Sequence, residues 1–266
     1  LLAEAGLPVR TSARAYRPRL DAPDLDVKIL KPQNIIEMLQ AGTRDVGFAG
    51  ADWVDELGAD LDELLDTRLD PVDLVAAAPA GLDLDAVAAG RPLVVASEYE
   101  RITRRWLAER GWPHRFVRSY GATEVFPPED ADVIVDNTAT GATLAANGLA
   151  VLDTLRTSST RLYTSPLLRD QPERRERART FAVLARSVLD ARERVMLEVN
   201  VPGDRLAALV AILPCMREPT ISPLHGNGDF AVKAAVPRRE LAALIPRLRE
   251  AGGSDVVVTN PSQIVA

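Results

Sequence analysis

The feature that most constrains the fold of this chain is a polar turn, Asp136–Thr143, which directly follows the apolar run Val133–Val135. The apolar run predicts a buried strand, and the segment 144–149 predicts a short helix closed by its Asn-Gly pair at 147–148. A strand, a turn rich in hydroxyls and glycine, and a helix start together favour phosphate binding, because backbone N–H groups converge there. The residues of the turn are Asp136, Asn137, Thr138, Ala139, Thr140, Gly141, Ala142 and Thr143.

The same turn could also be an ordinary strand-to-helix connection capped by threonine, since short motifs are only hypotheses. It is not a Walker loop, because no Gly-Lys-Ser/Thr follows it, and it lacks the Gly-x-Gly-x-x-Gly dinucleotide fingerprint. Gly141 would allow the backbone close to a ligand. Asp136, at the end of the strand, would be placed to bind ribose hydroxyls or a magnesium ion.

Composition narrows the classes of function. The net charge of -6 argues against a nucleic-acid binder with a broad basic face. A single cysteine excludes an internal disulfide and fits a reducing cytoplasm, and one cysteine with two histidines argues against a metal site built from these residues. The sequence has no run of 18 apolar residues and no basic-then-apolar leader, so neither a membrane span nor a signal peptide is expected.

Strands alternate with helices over most of the chain, which predicts an α/β fold with parallel sheets. Ligands of such sheets bind at the carboxyl ends of strands, where Gly50, Ser97, Gly121 and Asp136 all fall. We expect two α/β lobes hinged near residues 78–81 and again near 155–162. From residue 194 to 266 the order of elements is βαββαβ, which predicts a ferredoxin-like domain.

Three further segments accompany the turn: 121–124 (Gly-Ala-Thr-Glu), 131–136 (Ala-Asp-Val-Ile-Val-Asp) and 146–149 (Ala-Asn-Gly-Leu). Together with 140–144 (Thr-Gly-Ala-Thr-Leu) they resemble the signature of the ATP phosphoribosyltransferases, which carry out the first step of histidine biosynthesis. The C-terminal segment 219–224 (Pro-Thr-Ile-Ser-Pro-Leu) resembles the regulatory domain of the long form of that family. The resemblance spans nearly the whole chain.

The resemblance implies two hinged lobes of periplasmic-binding-protein type followed by the ferredoxin-like regulatory domain. Lobe I would comprise residues 1–78 and 160–193, lobe II residues 79–159, and the regulatory domain residues 194–266. The implied reaction joins N1 of ATP to C1 of phosphoribosyl pyrophosphate and releases pyrophosphate. The turn Asp136–Thr143 would hold the 5-phosphate, and the catalytic carboxylates Asp136 and Glu124 would fix the ribose hydroxyls. The implied ATP contacts are Lys31, Gly50, Asp52, Tyr99 and Arg101, where Lys31 replaces a family arginine.

The resemblance also implies Mg²⁺ carried by the pyrophosphate, feedback inhibition by histidine, and a homo-oligomer, either a dimer or a hexamer. The implied histidine contacts are Asn200, Met216, Glu218 and Thr220. Asn200 stands where a carboxylate is expected, which predicts weaker histidine binding. The first strand and Lys-Gly motif of the family have no counterpart in this sequence: they either precede Leu1 or are lost in this homologue.

Two other classes of protein fit parts of the pattern. A two-lobed small-molecule binding protein would show the same lobes and hinge, but neither the phosphate turn nor the appended domain. A non-catalytic regulatory paralogue would share the whole architecture. Tyr99 with Arg101 could equally be an ordinary pair on a helix surface, and Glu124 could be an acid that stabilises a helix start.

Overall fold

The computed structural model describes residues 1–10, 16–20, 22, 25–226 and 228–265. The α-helices are α1 (Pro32–Gln40), α2 (Ala51–Leu57), α3 (Leu84–Gly90), α4 (Glu100–Arg110), α5 (Ala142–Ala146), α6 (Pro172–Arg192), α7 (Leu206–Ala211) and α8 (Leu241–Glu250). The strands are β1 (Val9–Arg10), β2 (Arg19–Leu20), β3 (Val46–Gly50), β4 (Asp62–Pro79), β5 (Leu93–Ser97), β6 (His114–Arg118), β7 (Val133–Thr138), β8 (Leu149–Thr164), β9 (Arg194–Val201), β10 (Thr220–Pro223), β11 (Phe230–Pro237) and β12 (Ser254–Thr259).

The chain divides into two compact units, one formed by Leu30–Arg179 and the other by Leu1–Ile29 with Thr180–Ala266. The first unit contains a six-stranded sheet in the order β3-β8-β4-β7-β5-β6. Only β5 pairs in parallel, with β6 and β7, whereas β3, β4 and β8 pair antiparallel. The prediction of parallel sheets is therefore right for one half of this sheet and wrong for the other.

Two long strands account for the difference. β4 has 18 residues and β8 has 16, and they pair antiparallel along their whole length. One end of this pair packs in a core around Ile36, Leu39 and Tyr163, and the other end packs in a core around Leu74 and Leu93. The chain thus forms two lobes that share the same pair of strands.

The passage between the two lobes lies in the middle of the long strands, near residues 66–72. The register shifts there between Asp66 and Leu69 and again between Leu69 and Val72. Arg68 and Asp70 have φ of 55° and 49°, so the backbone is irregular at this point. The predicted hinge at 78–81 lies instead at the end of β4, where Ala78 is buried, and it stays a prediction. The lobe boundaries given above remain a prediction, and both long strands run across them.

The second unit contains a four-stranded antiparallel sheet in the order β10-β11-β9-β12. Alternate residues of β9, from Val195 to Val201, are at most 1% exposed and pack with Leu209, Leu244 and Leu248 of the two helices. This alternation is typical of a sheet with one covered face. The βαββαβ prediction for the C-terminal residues is confirmed. In the part of the chain described, no helix is long and apolar enough to cross a lipid bilayer.

Candidate active site

The phosphate turn begins within β7, where the buried portion of the strand ends. Val133–Val135 are fully buried, and the chain emerges at Asp136 before α5 begins. Gly141 precedes α5 with φ of 73°, and its amide donates to Thr138 Oγ1 at 2.8 Å. A Cβ added at Gly141 would meet no atom within 4 Å. Glycine is therefore required here by its backbone conformation rather than by crowding from the protein.

The turn also presents unused donors. Thr143 and Leu144 form the first turn of α5, where amides have no intrahelical acceptor. In the described residues, neither amide donates to a protein acceptor. Thr140 and Thr143 are exposed. This combination of open amides, hydroxyls and a helix start can bind a phosphate group.

Asp136 is the first residue of this turn, and the carboxylates of Glu124 and Glu98 are near it. Burial raises the pKa of Asp136, and the charges of Glu124 and Glu98 raise it further, while the Asn137 amide at 2.8 Å and Thr123 lower it. Carboxylates crowded in this way favour a cationic or hydroxyl-rich ligand. Sequence reasoning identified Asp136 and Glu124 but missed Glu98. Glu98 directly follows β5, as Asp136 ends the apolar run of β7, and that position could have identified it.

Two of the implied ATP contacts are in the interior of the unit. Asp52 is 4% exposed and Tyr99 is 1% exposed. Tyr99 Oη donates to Asp52 Oδ2 at 2.7 Å, and the Tyr99 ring packs against Trp53 with 4.5 Å between centroids. A Cβ on Gly50 would lie 2.2 Å from Asp52 Oδ1, so glycine leaves room for that carboxylate. In this conformation neither Asp52 nor Tyr99 presents a free surface to a nucleotide.

The two cationic residues among the implied ATP contacts, Lys31 and Arg101, are on the surface. Lys31 precedes α1 and is exposed. Arg101 is also exposed, and its guanidinium lies over Gly58, where an added Cβ would be 1.6 Å from Nη1. The Arg101 amide donates to Glu56 Oε1 at 3.0 Å, which orients the start of α4. Both cations remain available to a polyanion.

The implied histidine contacts are on the second unit, where Asn200 and Thr220 lie on different strands of the sheet. Thr220 of β10 pairs with Lys233 of β11, which in turn pairs with Glu198 of β9. Asn200 is two residues beyond Glu198 on the same face, two strands away from Thr220. Met216 and Glu218 precede β10. Met216, Glu218 and Thr220 therefore belong to one edge of the sheet, and Asn200 does not.

The carboxylate that is expected at position 200 is supplied next to Asn200 by Asp255. Its amide group donates to Asp255 Oδ2 at 3.1 Å, and Ser254 Oγ donates to the same oxygen. Asp255 has φ of 49° and lies where the register of β12 against β9 shifts. Sequence reasoning missed Asp255, because no local pattern shows that a bulge turns its side chain toward Asn200.

A dedicated metal cage is not part of this arrangement. Within the described ranges, no group of three or more histidine, cysteine, aspartate or glutamate residues could hold a metal ion. Mg²⁺ is commonly bound through one or two carboxylates together with substrate phosphates. The residues present fit that mode and do not fit an all-protein site.

Comparison with known proteins identifies the family. The model described as "HisG: ATP phosphoribosyltransferase" matches residues 31–184, and "HisG, C-terminal domain" matches residues 191–262. An ATP phosphoribosyltransferase of Pelotomaculum thermopropionicum is 37% identical over 97% of this chain and 91% of its own length. One from Chlorobium phaeovibrioides is 34% identical over 96% of this chain and 89% of its own length.

A solved structure supports the fold. It is described as an ATP phosphoribosyl transferase (HisG:HisZ) complex from Thermotoga maritima, and it matches with a TM-score of 0.61 at 24% identity. The match covers 70% of this chain and 88% of that one. The chain thus belongs to the ATP phosphoribosyltransferase family, the enzymes of the first step of histidine biosynthesis.

Proposed function

We propose that this chain binds the 5-phosphate of phosphoribosyl pyrophosphate in the turn Asp136–Thr143 while ATP attacks the ribose through N1 of its adenine. The observation that carries this proposal is the pair of open amides, Thr143 and Leu144, at the start of α5. They face the ligand without a competing protein acceptor, and the hydroxyls of Thr140 and Thr143 add neutral donors. Pre-oriented donors of this kind bind an anion without reorganising.

Asp136 and Glu124 act on the ribose. Their carboxylates accept hydrogen bonds from its hydroxyls and hold C1 in line with the adenine nitrogen. As the bond to pyrophosphate breaks, C1 becomes electron-poor, and nearby negative charge stabilises it. Glu98 adds to the same negative field. Adenine N1 is already nucleophilic, and we assign no general base.

ATP approaches from the side of α2 and α4. Lys31 and Arg101 are exposed cations that suit its triphosphate. Gly50 belongs to the proposed nucleotide side, and the family resemblance adds Asp52 and Tyr99 as candidates there. Since Asp52 and Tyr99 are buried here, direct contact with the adenine would require the lobes to separate about the long strands.

The family requires a metal ion, and we propose Mg²⁺. Mg²⁺ would compensate the charge of the departing pyrophosphate. Asp136 and Glu124 are the residues that could share it, alongside oxygens of the substrate.

We also propose that histidine inhibits the enzyme through the C-terminal domain. Because Asn200 and Thr220 are two strands apart, one ligand would be completed by residues of two subunits, which agrees with a dimer or hexamer. Asp255, beside Asn200, supplies the carboxylate that the ligand's ammonium group needs. We place the enzyme in the cytoplasm, where its nucleotide substrates are found.

The test of the proposed function is a product assay. The purified chain is incubated with ATP, Mg²⁺ and phosphoribosyl pyrophosphate, and phosphoribosyl-ATP and pyrophosphate are measured. Formation of both supports the proposal. A folded sample that binds both substrates without making product would instead favour the regulatory paralogue.

A further inference from the structure

We propose that Ser158, Asp52 and Tyr99 form a buried relay of hydrogen bonds that positions Asn137 and, through it, the ribose-binding carboxylate of Asp136. This inference rests on the proposed role of Asp136 and adds Ser158 as a positioning residue. It also assigns Asp52 and Tyr99 to the phosphoribosyl side of the reaction rather than to the nucleotide.

The relay begins on β8. Ser158 Oγ donates to Asp52 Oδ1 at 2.6 Å and accepts from the Asp52 amide at 3.0 Å. Tyr99 Oη donates to the other oxygen, Asp52 Oδ2, at 2.7 Å. Each carboxylate oxygen therefore has its own hydroxyl donor. Ser158, Asp52 and Tyr99 are 2%, 4% and 1% exposed, so water does not compete for these bonds.

The relay ends at the active-site turn. Tyr99 Oη accepts from the side-chain Nδ2 of Asn137 at 3.0 Å, and the backbone N–H of Asn137 donates to Asp136 Oδ1 at 2.8 Å. The direction of each bond is fixed, because a carboxylate only accepts and the NH₂ group of an asparagine only donates. Burial raises the pKa of Tyr99 above its usual range, and the charge of Asp52 adds to this effect. Tyr99 therefore keeps the proton that it donates to Asp52.

The relay connects four separate elements. Ser158 comes from β8 where the long strands pass between the lobes, Asp52 from α2, Tyr99 from the residue before α4, and Asn137 from the end of β7. Trp53 packs on the Tyr99 ring and fixes where its hydroxyl lies. A shift at any member moves the acceptor that holds Asn137. The orientation of Asp136 thus depends on residues that cannot touch the substrate in this conformation.

Measured affinities for the two substrates distinguish this inference from the alternative that Asp52 and Tyr99 contact ATP directly. If Asp52 and Tyr99 bind ATP, their variants lose affinity for ATP. If they position Asn137, the same variants lose affinity for phosphoribosyl pyrophosphate and keep that for ATP. Ser158 gives the cleanest test, because it is buried and contributes only its hydroxyl to the relay.

Ser158→Ala is compared with Ser159→Ala, its matched control. Ser159 is the next residue on the same strand, and its Oγ donates to Asp66 Oδ1 at 2.7 Å, outside the relay. Both changes remove a hydrogen bond from a serine hydroxyl to an aspartate carboxylate, and Ser158→Ala also removes the acceptor of the Asp52 backbone amide. The dissociation constants of ATP and phosphoribosyl pyrophosphate are measured by calorimetry on the full chain, together with KM, kcat and the thermal midpoint.

For Ser158→Ala we expect the dissociation constant and KM of phosphoribosyl pyrophosphate to rise about five- to tenfold, with those of ATP changed less than about twofold. Ser159→Ala should change neither. Unchanged affinity for phosphoribosyl pyrophosphate in folded Ser158→Ala, or a loss confined to ATP, overturns the relay. A wild-type chain that binds no phosphoribosyl pyrophosphate overturns the proposed function instead.

Should Ser158→Ala not fold, a double-mutant cycle settles the question. Tyr99→Phe keeps the ring against Trp53 and removes only the hydroxyl, and Asn137→Ala removes its partner. A relay predicts that the double variant binds phosphoribosyl pyrophosphate no more weakly than the worse single variant. Effects on affinity that simply multiply would show that Tyr99 and Asn137 act independently and would overturn it.

Discussion

The Asp136–Thr143 turn and the Asp52–Tyr99 pair both put polar groups at strand ends, yet their surroundings are opposite. The turn is largely exposed, and two of its amides have no protein acceptor in the described part of the chain. The pair is buried, and its carboxylate and phenol bond to each other and to Ser158 and Asn137. A polar residue at a strand end can thus either bind the ligand or brace the residue that does. The number of hydrogen-bond partners left open distinguishes the two roles.

The largest expected effect is at Asp136. Asp136→Asn should lower kcat by about a hundred- to a thousandfold, because it removes the negative charge that we propose stabilises the electron-poor ribose carbon. Steady-state kinetics measures the loss. Asp204→Asn, on a carboxylate that is 81% exposed, is the control and should retain full activity. An Asp136→Asn enzyme within tenfold of wild type would contradict the role of the carboxylate.

The same substitution should stabilise the fold in a pH-dependent way. The pKa of Asp136 is raised in the folded chain, so the folded state keeps this proton longer than the unfolded state. Protonated Asp136 therefore contributes to the stability of the fold at pH values below the usual carboxyl pKa. This contribution is lost as the pH rises through the raised pKa of the folded state. The thermal midpoint of Asp136→Asn relative to wild type should therefore increase from acid to neutral pH. If the difference in thermal midpoint between Asp136→Asn and wild type shrinks from acid to neutral pH, the pKa of Asp136 is not raised by folding.

A second test breaks the open turn itself. Gly141→Val places a β-branched residue at φ of 73° and should abolish measurable binding of phosphoribosyl pyrophosphate, with the fold kept. Gly148→Val is matched, since Gly148 has φ of 70° and equally open surroundings but lies beyond the far end of α5. Both variants should lose about 1–2 kcal/mol of stability. Calorimetry should show that only Gly148→Val binds phosphoribosyl pyrophosphate. Binding by both variants would contradict the proposal that the turn holds this substrate.

A third test disturbs the buried pair from outside. Gly50→Ala has no backbone strain, but its Cβ would lie 2.2 Å from Asp52 Oδ1 and must turn that carboxylate away from Ser158. We expect a loss of about 1–3 kcal/mol in the free energy of unfolding, read by denaturant titration. Gly90→Ala, which would meet no atom within 4 Å, should lose nothing. Equal stability of the two variants would mean that the pair does not brace the fold.

The smallest effect concerns the second unit. Asp255→Asn should raise the histidine concentration needed for half inhibition by about tenfold, through loss of one charge-assisted bond. Removal of residues 194–266 should abolish inhibition where the remaining chain stays folded. Activity is measured against histidine concentration for each protein. A full-length enzyme that ignores millimolar histidine would refute this regulation.

Local patterns in the sequence predicted local structure well. The alternation from Val195 to Val201 identified β9, and the apolar run Val133–Val135 with Gly141 identified the strand, turn and helix of the site. The sequence did not show that β8 would extend to 16 residues, because its pairing with β4 depends on partners far away in the chain. For the same reason it could not show that Asp52 meets Ser158, 106 residues later. Periodicity predicts which face is buried, whereas the partner of a buried polar group depends on tertiary packing.

The central claim is that the amides at the start of α5 hold the 5-phosphate. Amide chemical shifts of Thr143 and Leu144, followed by nuclear magnetic resonance during titration with phosphoribosyl pyrophosphate, test it most directly. Both amides should shift on saturation, and titration with ATP alone should leave them in place. Saturation by phosphoribosyl pyrophosphate with both amides unmoved would contradict the account.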